Sequence, residues 1–274
     1  MVTLAFTRLG SGPPLVLLHA LGSSRRVWEP VIPALSEHFD VVAVDLPGFG
    51  DSAPLPPETE PSSEVLASTV AGLLDDLGTG SAHVVGNSLG GWVALELAEL
   101  RQAASVTLLS PAGLWRGGTP LYCRASLRAS GWLSRHAAGV LSRLVNHRIG
   151  RILVLGQTHG RPARMTPDLA RATIRAAGSA SGFEATLRAT LPRRYVSRTP
   201  IHAPVTVAFG GRDVLLLPWQ SRHLDELPSD VVVRELPGCG HIPIADDPAA
   251  VVALIDASTH QDLAGTGLPD ATAA

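Results

Sequence analysis

The sequence predicts an α/β fold in which a mostly parallel sheet is flanked by helices. Short runs rich in valine and leucine alternate with helix-length amphipathic stretches along most of the chain. These runs are apolar at successive positions, which is typical of strands buried on both faces of a parallel sheet. The chain has 274 residues, 45% of them hydrophobic, and is therefore long enough to bury the core of one large domain.

The predicted elements follow one another in strand–helix order. We expect strands at 15–19, 41–45, 82–86, 105–109, 205–209 and 231–236, with a weaker opening strand near 4–8. We expect helices at 25–39, 62–77, 89–101, 220–227 and 248–258. This alternation favours a parallel sheet built from strand–helix–strand units.

The alternation stops between residues 112 and 200, where apolar residues recur at helical spacing. The one run there with strand character is 152–155. We therefore predict a core formed by residues 1–111 and 201–260, with a helical insertion at 112–200. The small and polar stretch 261–274 is predicted to be a flexible tail.

Charge is distributed unevenly along the chain. The formal net charge is −2, and all 22 basic residues are arginine. The stretch 112–200 holds 15 arginines and only two acids, Asp168 and Glu184, so it carries +13 and leaves −15 for the rest. The lack of lysine excludes mechanisms that need a catalytic lysine. The basic insertion favours anionic substrates, although ion pairs between its arginines and the acidic core are the alternative explanation.

Other classes of protein are disfavoured by composition. No stretch approaches the roughly 18 apolar residues of a membrane-spanning helix, and the N-terminus lacks the basic start and apolar run of a signal peptide. Two cysteines, Cys123 and Cys239, are too few for a disulfide scaffold. We therefore expect a cytoplasmic protein, and the acidic core argues against a nucleic-acid partner.

The stretch 86–90, Gly-Asn-Ser-Leu-Gly, carries the strongest chemical signal. It is the only G-x-S-x-G motif in the chain, and it follows a predicted strand and begins an alanine-rich helix. That context exposes the hydroxyl of Ser88 on a sharp turn, at a helix N-terminus that favours a developing negative charge. The turn needs very small neighbours, which Gly86, Gly90 and Gly91 provide. Ser88 is therefore the candidate nucleophile.

A serine hydroxyl needs a base before it becomes a good nucleophile. In folds with this turn, the partners follow in the order serine, acid, histidine. Asp213 follows the predicted strand 205–209 and His241 follows 231–236, so both fall at the sheet edge that carries Ser88. We predict that His241 takes the Ser88 proton and returns it to the leaving group, while Asp213 fixes the imidazole tautomer.

Other residues near these positions are given structural roles. Asp246 and Asp247 follow His241 too closely to serve as its partner and are expected to begin the last helix. Asp45 precedes the serine and is expected to organise a loop. Cys239 is expected to be a small filler rather than a redox switch.

Two backbone N–H groups are expected to bind the oxyanion of a tetrahedral intermediate. One is that of Leu89, directly after the nucleophile, and the other comes from the loop after strand 15–19. We expect this second donor to be Leu21, with Ala20 as the alternative. His19 is expected to hydrogen-bond the loop backbone and to take no part in catalysis.

These motifs together resemble the α/β-hydrolase superfamily in its capped form, over residues 1–111 and 201–260. They are His-Ala-Leu-Gly at 19–22, Asp-Leu-Pro-Gly-Phe-Gly-Asp-Ser at 45–52, Gly-Asn-Ser-Leu-Gly-Gly at 86–91, Gly-Gly-Arg-Asp at 210–213 and Gly-Cys-Gly-His at 238–241. The resemblance implies a mostly parallel sheet of eight strands with a helical cap inserted after the sixth, and no cofactor or metal is expected. The family usually has glycine where Ala20 stands. Relatives that act as dehalogenases or epoxide hydrolases use aspartate at the position of Ser88.

Two features resemble the branch of this family that cleaves carbon–carbon bonds in meta-ring-fission products, whose substrates are anionic dienones. They are Asn87 beside the serine and Ser-Pro-Ala-Gly at 110–113. That branch has tryptophan after the catalytic histidine, where this chain has Ile242. It also holds the substrate carboxylate with a cap arginine, for which Arg171 and Arg175 are the candidate counterparts.

The leading hypothesis is a serine hydrolase that cleaves a carboxylic ester through an acyl-enzyme. Its pocket is expected between the sheet edge and the cap, where Trp92, Trp115 and Trp132 are candidate lining residues. The alternatives are hydrolysis of a carbon–carbon bond in an anionic substrate, thioester hydrolysis or acyl transfer, and a ligand receptor without catalysis. The expected partner is a small-molecule acyl substrate, and opposite charges on cap and core are compatible with a homo-oligomer.

Overall fold

The computed structural model describes residues 2–260 and 268–270, and its centre is a seven-stranded sheet. The strands are β1 (Phe6–Leu9), β2 (Pro14–Leu18), β3 (Asp40–Val44), β4 (Ala82–Asn87), β5 (Ala103–Leu109), β6 (Val205–Gly210) and β7 (Val232–Leu236). Their spatial order is β1-β3-β2-β4-β5-β6-β7. β1 pairs antiparallel with β3 and every other pair of neighbours is parallel, so the predicted fold class is confirmed.

Helices lie on both faces of this sheet and in the long connection between β5 and β6. The α-helices are α1 (Ile32–Leu35), α2 (Ser63–Asp76), α3 (Leu89–Leu100), α4 (Leu121–His136), α5 (Ala138–Leu144), α6 (Arg148–Leu155), α7 (Pro167–Ser179), α8 (Phe183–Thr190), α9 (Pro218–Ser221) and α10 (Pro248–His260). Short 3-10 turns lie at Arg25–Trp28, Pro162–Arg164 and Pro243–Ala245.

Alternate residues of the central strands face opposite sides of the sheet, and both sides are buried. On β2, Val16 and Leu18 pack in one core cluster with α2 and α3. Leu15 and Leu17 pack in a second cluster, with α1 and α10. A strand covered on both faces has no polar side, which explains the continuously apolar runs in the sequence.

The sheet has one strand fewer than the eight that the family resemblance implies. Among the described residues, only β1 precedes the first parallel strand, β2, and it pairs with β3 at the edge of the sheet. The helical insertion therefore follows the fifth strand, β5, rather than the sixth. Residues 112–200, all of which are described, contain α4 to α8 and no strand.

This helical segment, residues 112–200, has a small core of its own. Val145, Leu155, Met165 and Ile174 pack together where α5, α6 and α7 meet. The stretch 152–155, which has strand character in the sequence, belongs to α6. Leu155 packs in this small core, whereas Ile152 and Leu153 are exposed, so the strand character of this run does not produce a strand.

Two predicted helices differ from the structure. The stretch 25–39 contains a 3-10 turn followed by α1, because Pro30 lacks the N–H that a continuous helix would need there. The stretch 220–227 is not helical beyond α9. The His223 N–H donates to the Leu114 carbonyl at 3.1 Å, so a contact with the segment after β5 replaces the helical hydrogen bond.

Most of the predicted tail, 261–274, lies outside the described residues. Residues 268–270 run beside β7, where the Pro269 carbonyl accepts from the Glu235 N–H at 2.9 Å. The longest helix in the described ranges, α4, has 16 residues. None of the helices described combines the length and the apolar content that crossing a membrane requires.

Candidate active site

Ser88 lies at the turn between β4 and α3, with backbone angles φ 55° and ψ −114°. A positive φ is uncommon for residues other than glycine and stores local strain. Hydrogen bonds on both sides hold the turn in this conformation. The Ser88 N–H donates to the Leu109 carbonyl at 3.0 Å, and the Ser88 carbonyl accepts from the Ala112 N–H at 3.0 Å.

Close backbone contacts explain the glycines around this turn. A Cβ on Gly86 would lie 2.6 Å from the Gly91 amide nitrogen, and one on Gly90 would lie 2.7 Å from the His19 carbonyl oxygen. Hard-sphere repulsion excludes a side chain at such distances. The contact at Gly90 also packs the start of α3 directly against the loop that follows β2.

His241 and Asp213 form a buried pair at the carboxyl ends of β7 and β6. The Nδ1 atom of His241 lies 2.8 Å from Oδ2 of Asp213. The other carboxylate oxygen, Oδ1, accepts from the N–H groups of Leu215 and Leu216, each at 2.9 Å. The carboxylate is therefore held from one side by the backbone and holds the imidazole ring on the other.

The electrostatic surroundings of Asp213 favour its ionised form. Burial by itself would raise the pKa of this carboxyl group. The electrostatic interaction and hydrogen bond with His241, together with the two backbone N–H groups, outweigh burial and lower the Asp213 pKa below its ordinary value. An ionised Asp213 accepts a hydrogen bond from Nδ1 and so leaves Nε2 of His241 as the atom that can accept a proton.

A cavity of about 830 Å³ lies between this edge of the sheet and the helical segment. Ser88 and His241 both line it, so these side chains face the same space. The candidate oxyanion residues Ala20, Leu21 and Leu89 line it as well. The structure thus brings the candidate nucleophile, base and oxyanion loop together at the carboxyl edge of the sheet, after β4, β7 and β2.

The wall of the cavity is mainly apolar. Trp92 and Trp115 meet edge to face in it, with ring centroids 5.9 Å apart. Ile242, directly after the histidine, and Phe183 from α8 add further apolar surface. Among the described residues, Arg175 is the one arginine of the helical segment that lines this wall.

Two candidate binding residues lie away from the cavity. Trp132 is 59% exposed and stacks on His136 along the outside of α4, because the inner face of that helix is taken by smaller side chains. Arg171 donates to Asp168 and Asn146 on the surface of the helical segment. The structure does not bring either side chain to Ser88.

The candidate oxyanion loop is held by a tight turn and a buried histidine. The Ser23 N–H donates to the Ala20 carbonyl at 3.0 Å, and Gly22 takes the positive φ of 73° that the turn requires. His19 accepts from the Leu46 N–H at Nε2, 3.0 Å away, and its Nδ1 donates to the Ala20 carbonyl at 2.8 Å. Burial lowers the His19 pKa, which favours the neutral ring that this pattern needs.

Asn87 is fully buried behind the cavity rather than in its wall. Its side-chain amide donates to the carbonyls of Leu109 and His241, each at 2.9 Å. The first bond ties β4 to β5, and the second ties the nucleophile turn to the histidine loop. The Asn87 side chain therefore connects the segments around the cavity and does not line it.

Asp246 joins the helical segment to the histidine loop, a role that the sequence does not indicate. Its carboxylate accepts from the N–H groups of Gly160 and Arg161, each at 2.7 Å, and of Gly240 at 2.8 Å. The expectation that Asp246 begins the last helix is wrong. Asp247 alone does so, accepting from an N–H in the first turn of α10 at 3.1 Å.

The two loops meet closely at this point. A Cβ on Gly240 would lie 2.7 Å from the carbonyl carbon of His159, so only glycine allows the approach. The Ile242 N–H also donates to the Thr158 carbonyl at 2.8 Å. His159 is buried beside the cavity, and burial lowers its pKa and favours the neutral ring. Sequence reasoning missed His159 because no motif marks it.

Asp45 and Cys239, for which the sequence predicts structural roles, are both buried. Asp45 accepts from the N–H and the guanidinium of Arg25 and from the Asp51 N–H, and so links three loop segments. Cys239 is a free thiol, and burial raises its pKa to about 12. A thiol with so high a pKa is a poor nucleophile.

Several arginines of the helical segment pair with acids of the core. The pairs are Arg161 with Asp247, Arg193 with Glu60, Arg194 with Glu226, and Arg198 with Glu64, Glu96 and Glu99. Ion pairing with the acidic core therefore accounts for these four arginines. Among the arginines of this segment in the described part of the chain, Arg175 is the one that lines the cavity.

Glu96 anchors Trp92 from beneath the cavity. The Trp92 Nε1–H donates to Glu96 at 2.9 Å, and the Ser63 hydroxyl donates to the same carboxylate oxygen at 3.1 Å. Burial raises the pKa of Glu96 to about 7, since Arg198 is half-exposed and shared among three carboxylates. This carboxyl group is therefore partly protonated near neutral pH.

No group of three or more His, Cys, Asp or Glu side chains is arranged to hold a metal ion within residues 2–260 and 268–270. The chemistry that the described geometry offers is that of a serine hydroxyl, an imidazole and a carboxylate around one apolar cavity. Such a set can carry out nucleophilic attack followed by proton transfer.

Comparison with known proteins agrees with this architecture. Epoxide hydrolase EphH of Mycobacterium tuberculosis is 32% identical over 206 residues, which cover 71% of this chain and 93% of that protein. A pimeloyl-[acyl-carrier protein] methyl ester esterase of Aeromonas hydrophila is 45% identical over 97 residues, 35% of this chain and 36% of the relative.

Structural comparison finds the same fold in enzymes of several kinds. A thermophilic esterase from Thermogutta terrifontis superposes with a TM-score of 0.76 at 22% identity, covering 95% of this chain and 94% of the other. At that identity the likeness concerns the fold alone. The sequence model of the Alpha/beta hydrolase family matches residues 15–254, most of the chain. The protein is therefore a member of the alpha/beta hydrolase family.

Proposed function

We propose that the protein is a serine hydrolase that cleaves a carboxylic ester. Ser88 is the nucleophile, His241 the general base and acid, and Asp213 the residue that orients the imidazole. The N–H groups of Leu89 and Leu21 receive the oxyanion, with Ala20 as the alternative donor. The helical segment 112–200 is the cap, and Trp92, Trp115 and Ile242 form the apolar wall against which the substrate packs.

One observation carries this proposal. His241, which Asp213 holds at 2.8 Å, and the strained Ser88 turn line the same apolar cavity. Strained backbone is retained where the surrounding structure holds it, and it is concentrated at functional sites. A serine at the turn also supports an ester over an epoxide, because the family's epoxide hydrolases use aspartate there.

The reaction proceeds in two steps. The Ser88 oxygen attacks the ester carbonyl while His241 accepts the hydroxyl proton, and collapse of the tetrahedral intermediate expels the alcohol, which takes that proton. Water then attacks the acyl-enzyme with His241 again as base, releasing the acid and regenerating the hydroxyl. Two N–H donors stabilise each oxyanion, and a single donor is worth about 3–4 kcal/mol in enzymes of this type.

Hydrolysis of p-nitrophenyl esters of increasing acyl length tests the proposal. We expect activity in the wild type and at least about a thousandfold loss of kcat in Ser88→Ala. Ser130→Ala is the matched control, since Ser130 also lines the cavity but bonds only within its own helix. A serine-directed phosphonate is expected to label the wild type and the control but not Ser88→Ala.

Failure of the wild type to hydrolyse any ester, together with an unlabelled Ser88, contradicts the proposal and favours a ligand receptor. Labelling of Ser88 without ester hydrolysis points instead to thioester hydrolysis or acyl transfer. A panel of acyl thioesters, with and without an alcohol acceptor, separates those two activities.

Arg175 in the cavity wall favours a second candidate, hydrolysis of a carbon–carbon bond in an anionic ring-fission dienone. In that case Arg175→Gln raises KM for the anionic dienone and leaves KM for a neutral ester unchanged. The absence of tryptophan after His241 counts against this activity, as the family branch carries one there. Equal effects on both substrates would eliminate the second candidate.

A further inference from the structure

The outer surface of α4, α5 and α6 is unusually apolar. These helices span residues 121–155 and expose nine large hydrophobic side chains, against six in the rest of the described chain. Leu121 and Leu153 are each 79% exposed, and Ile149 is 71% exposed. Exposed hydrophobic side chains are normally scattered singly over a protein surface. A concentration of them in one region is typical of an interaction surface.

The same surface is positively charged. Residues 121–155 hold six arginines and no acidic residue. Arg128, Arg135, Arg143 and Arg148 are exposed, and within the described part of the chain none of these four makes an ion pair. The arginines that pair with the core lie outside this stretch. Charge and apolar area are thus concentrated on one part of the molecule.

Helical spacing places the two kinds of side chain together. On α4, Arg128 and Trp132 are four residues apart and therefore share the exposed face. On α6, Arg148, Ile149 and Ile152 are all exposed at spacings of one, three and four residues. We call the exposed surface of residues 121–155 the α4–α6 face.

This face reaches the cavity that contains Ser88. Leu133 of α4 and Leu153 of α6 both line the cavity, and both are substantially exposed. The side chain of Gln157, just after α6, contacts Tyr122 and Ser126 of α4, so the two helices meet beside the same cavity. The exposed apolar residues therefore border an opening of the cavity.

We propose that the α4–α6 face binds the surface of an anionic phospholipid bilayer, with the cavity opening toward the lipid. Large apolar side chains enter the boundary between headgroups and acyl chains, while arginines contact the phosphates. Anionic lipids attract each nearby arginine. Their headgroups therefore provide the negative charge that the acidic residues of this chain do not provide at this face. A second copy of the face would instead bring two sets of unpaired arginines together.

Sedimentation with vesicles tests this proposal on the intact protein. We expect binding to phosphatidylcholine vesicles that contain phosphatidylglycerol, weak binding to pure phosphatidylcholine, and release at high salt because salt screens the attraction. The double variant Arg128→Gln/Arg148→Gln is expected to lower affinity about 25-fold, at about fivefold for each arginine. Arg116→Gln/Arg188→Gln, which removes two exposed arginines elsewhere in the helical segment, is the matched control.

A tryptophan pair tests the apolar contribution. Trp132→Ala should weaken vesicle binding several-fold. Trp219→Ala should not, because Trp219 lies on α9, although at 70% it is more exposed than Trp132 at 59%. Hydrolysis of a soluble short-chain ester should remain unchanged in all of these variants, so failure of lipid binding is distinguishable from failure of the proposed catalysis.

Equal affinity for both kinds of vesicle, or equal losses in both arginine pairs, would overturn the proposal. So would a protein that stays in solution with either vesicle and forms a dimer that Trp132→Ala dissociates, since the face would then be a subunit interface.

Discussion

The side-chain amide of Asn87 donates a hydrogen bond of 2.9 Å to the carbonyl oxygen of His241, across 154 positions of sequence. Both partners of this amide are carbonyl oxygens, which only accept hydrogen bonds. The side-chain nitrogen of Asn87, and not its oxygen, must therefore face them. The residue before the candidate nucleophile thereby fixes the backbone of the candidate base. Asn87 lies outside the cavity wall, so we expect it to affect the reaction through the position of His241.

Asn87→Ala should lower kcat about tenfold to a hundredfold with little change in KM, because a displaced base misaligns the reaction without altering binding. The variant should also lose about 1–3 kcal/mol of stability, since a buried carbonyl is left without its partner. Ser258→Ala removes the buried 2.6 Å hydrogen bond to Thr107 elsewhere in the fold and is the control. It should lose stability but not kcat; an equal loss of kcat in both variants would refute the positioning role.

Asp246→Ala should destabilise the protein by about 2–4 kcal/mol, because three backbone N–H groups lose a charged acceptor. Urea denaturation measures the loss. Asp168→Ala is the control, since that carboxylate is exposed and pairs only with Arg171, and it should change stability by less than about 0.5 kcal/mol. Comparable stability of the two variants would mean that Asp246 does not join the helical segment to the histidine loop.

Glu96 should make stability fall as pH rises from about 4.5 to about 7. Its folded-state pKa is raised to about 7, so within that window the folded protein binds a proton that the unfolded chain has released. The effect amounts to about 2–3 kcal/mol. Glu96→Gln should remove this slope in urea denaturations at pH 5 and pH 8, whereas Glu37→Gln, at an exposed site, should retain it. An unchanged slope in Glu96→Gln would show that another group titrates.

Gly90→Ala should destabilise the protein by at least about 3 kcal/mol and abolish ester hydrolysis. The added Cβ would lie 2.7 Å from the His19 carbonyl oxygen and would push the loop after β2 away from α3. Gly80→Ala is the matched control, because no atom lies within 4 Å of a Cβ there. Thermal denaturation and kcat together check the result, and a stable, active Gly90→Ala would disprove the close packing of this turn.

The sequence predicts the sheet well because its strands are buried on both faces. Continuous apolar runs such as 41–45 and 205–209 are typical of strands covered on both faces, and the strands lie within one or two residues of those runs. The motif around Ser88 was predictable for a related reason. Only glycine fits at Gly86 and Gly90, so the turn leaves a recognisable residue pattern.

Predictions that depend on contacts distant in sequence were less successful. The stretch 220–227 has helical periodicity, but the His223 N–H bonds to Leu114, more than a hundred residues away. Trp132 is a large aromatic residue of the kind that lines pockets, yet its position on α4 places its side chain at the surface. Neither outcome follows from local periodicity, because each depends on which segment packs beside it.

The sequence alone determined the α/β class, the chain order of Ser88, Asp213 and His241, and the separation of charge between the insertion and the core. These features are local or additive, so residue order is enough to specify them. Only the tertiary structure decided that Asp246 holds the insertion against the histidine loop and that Arg198 is shared by three glutamates. It also decided that, with respect to the described residues, arginines of α4 to α6 lie without ion pairs beside exposed apolar side chains. Hydrogen bonds and ion pairs act over a few ångströms, and folding alone sets which distant residues come that close.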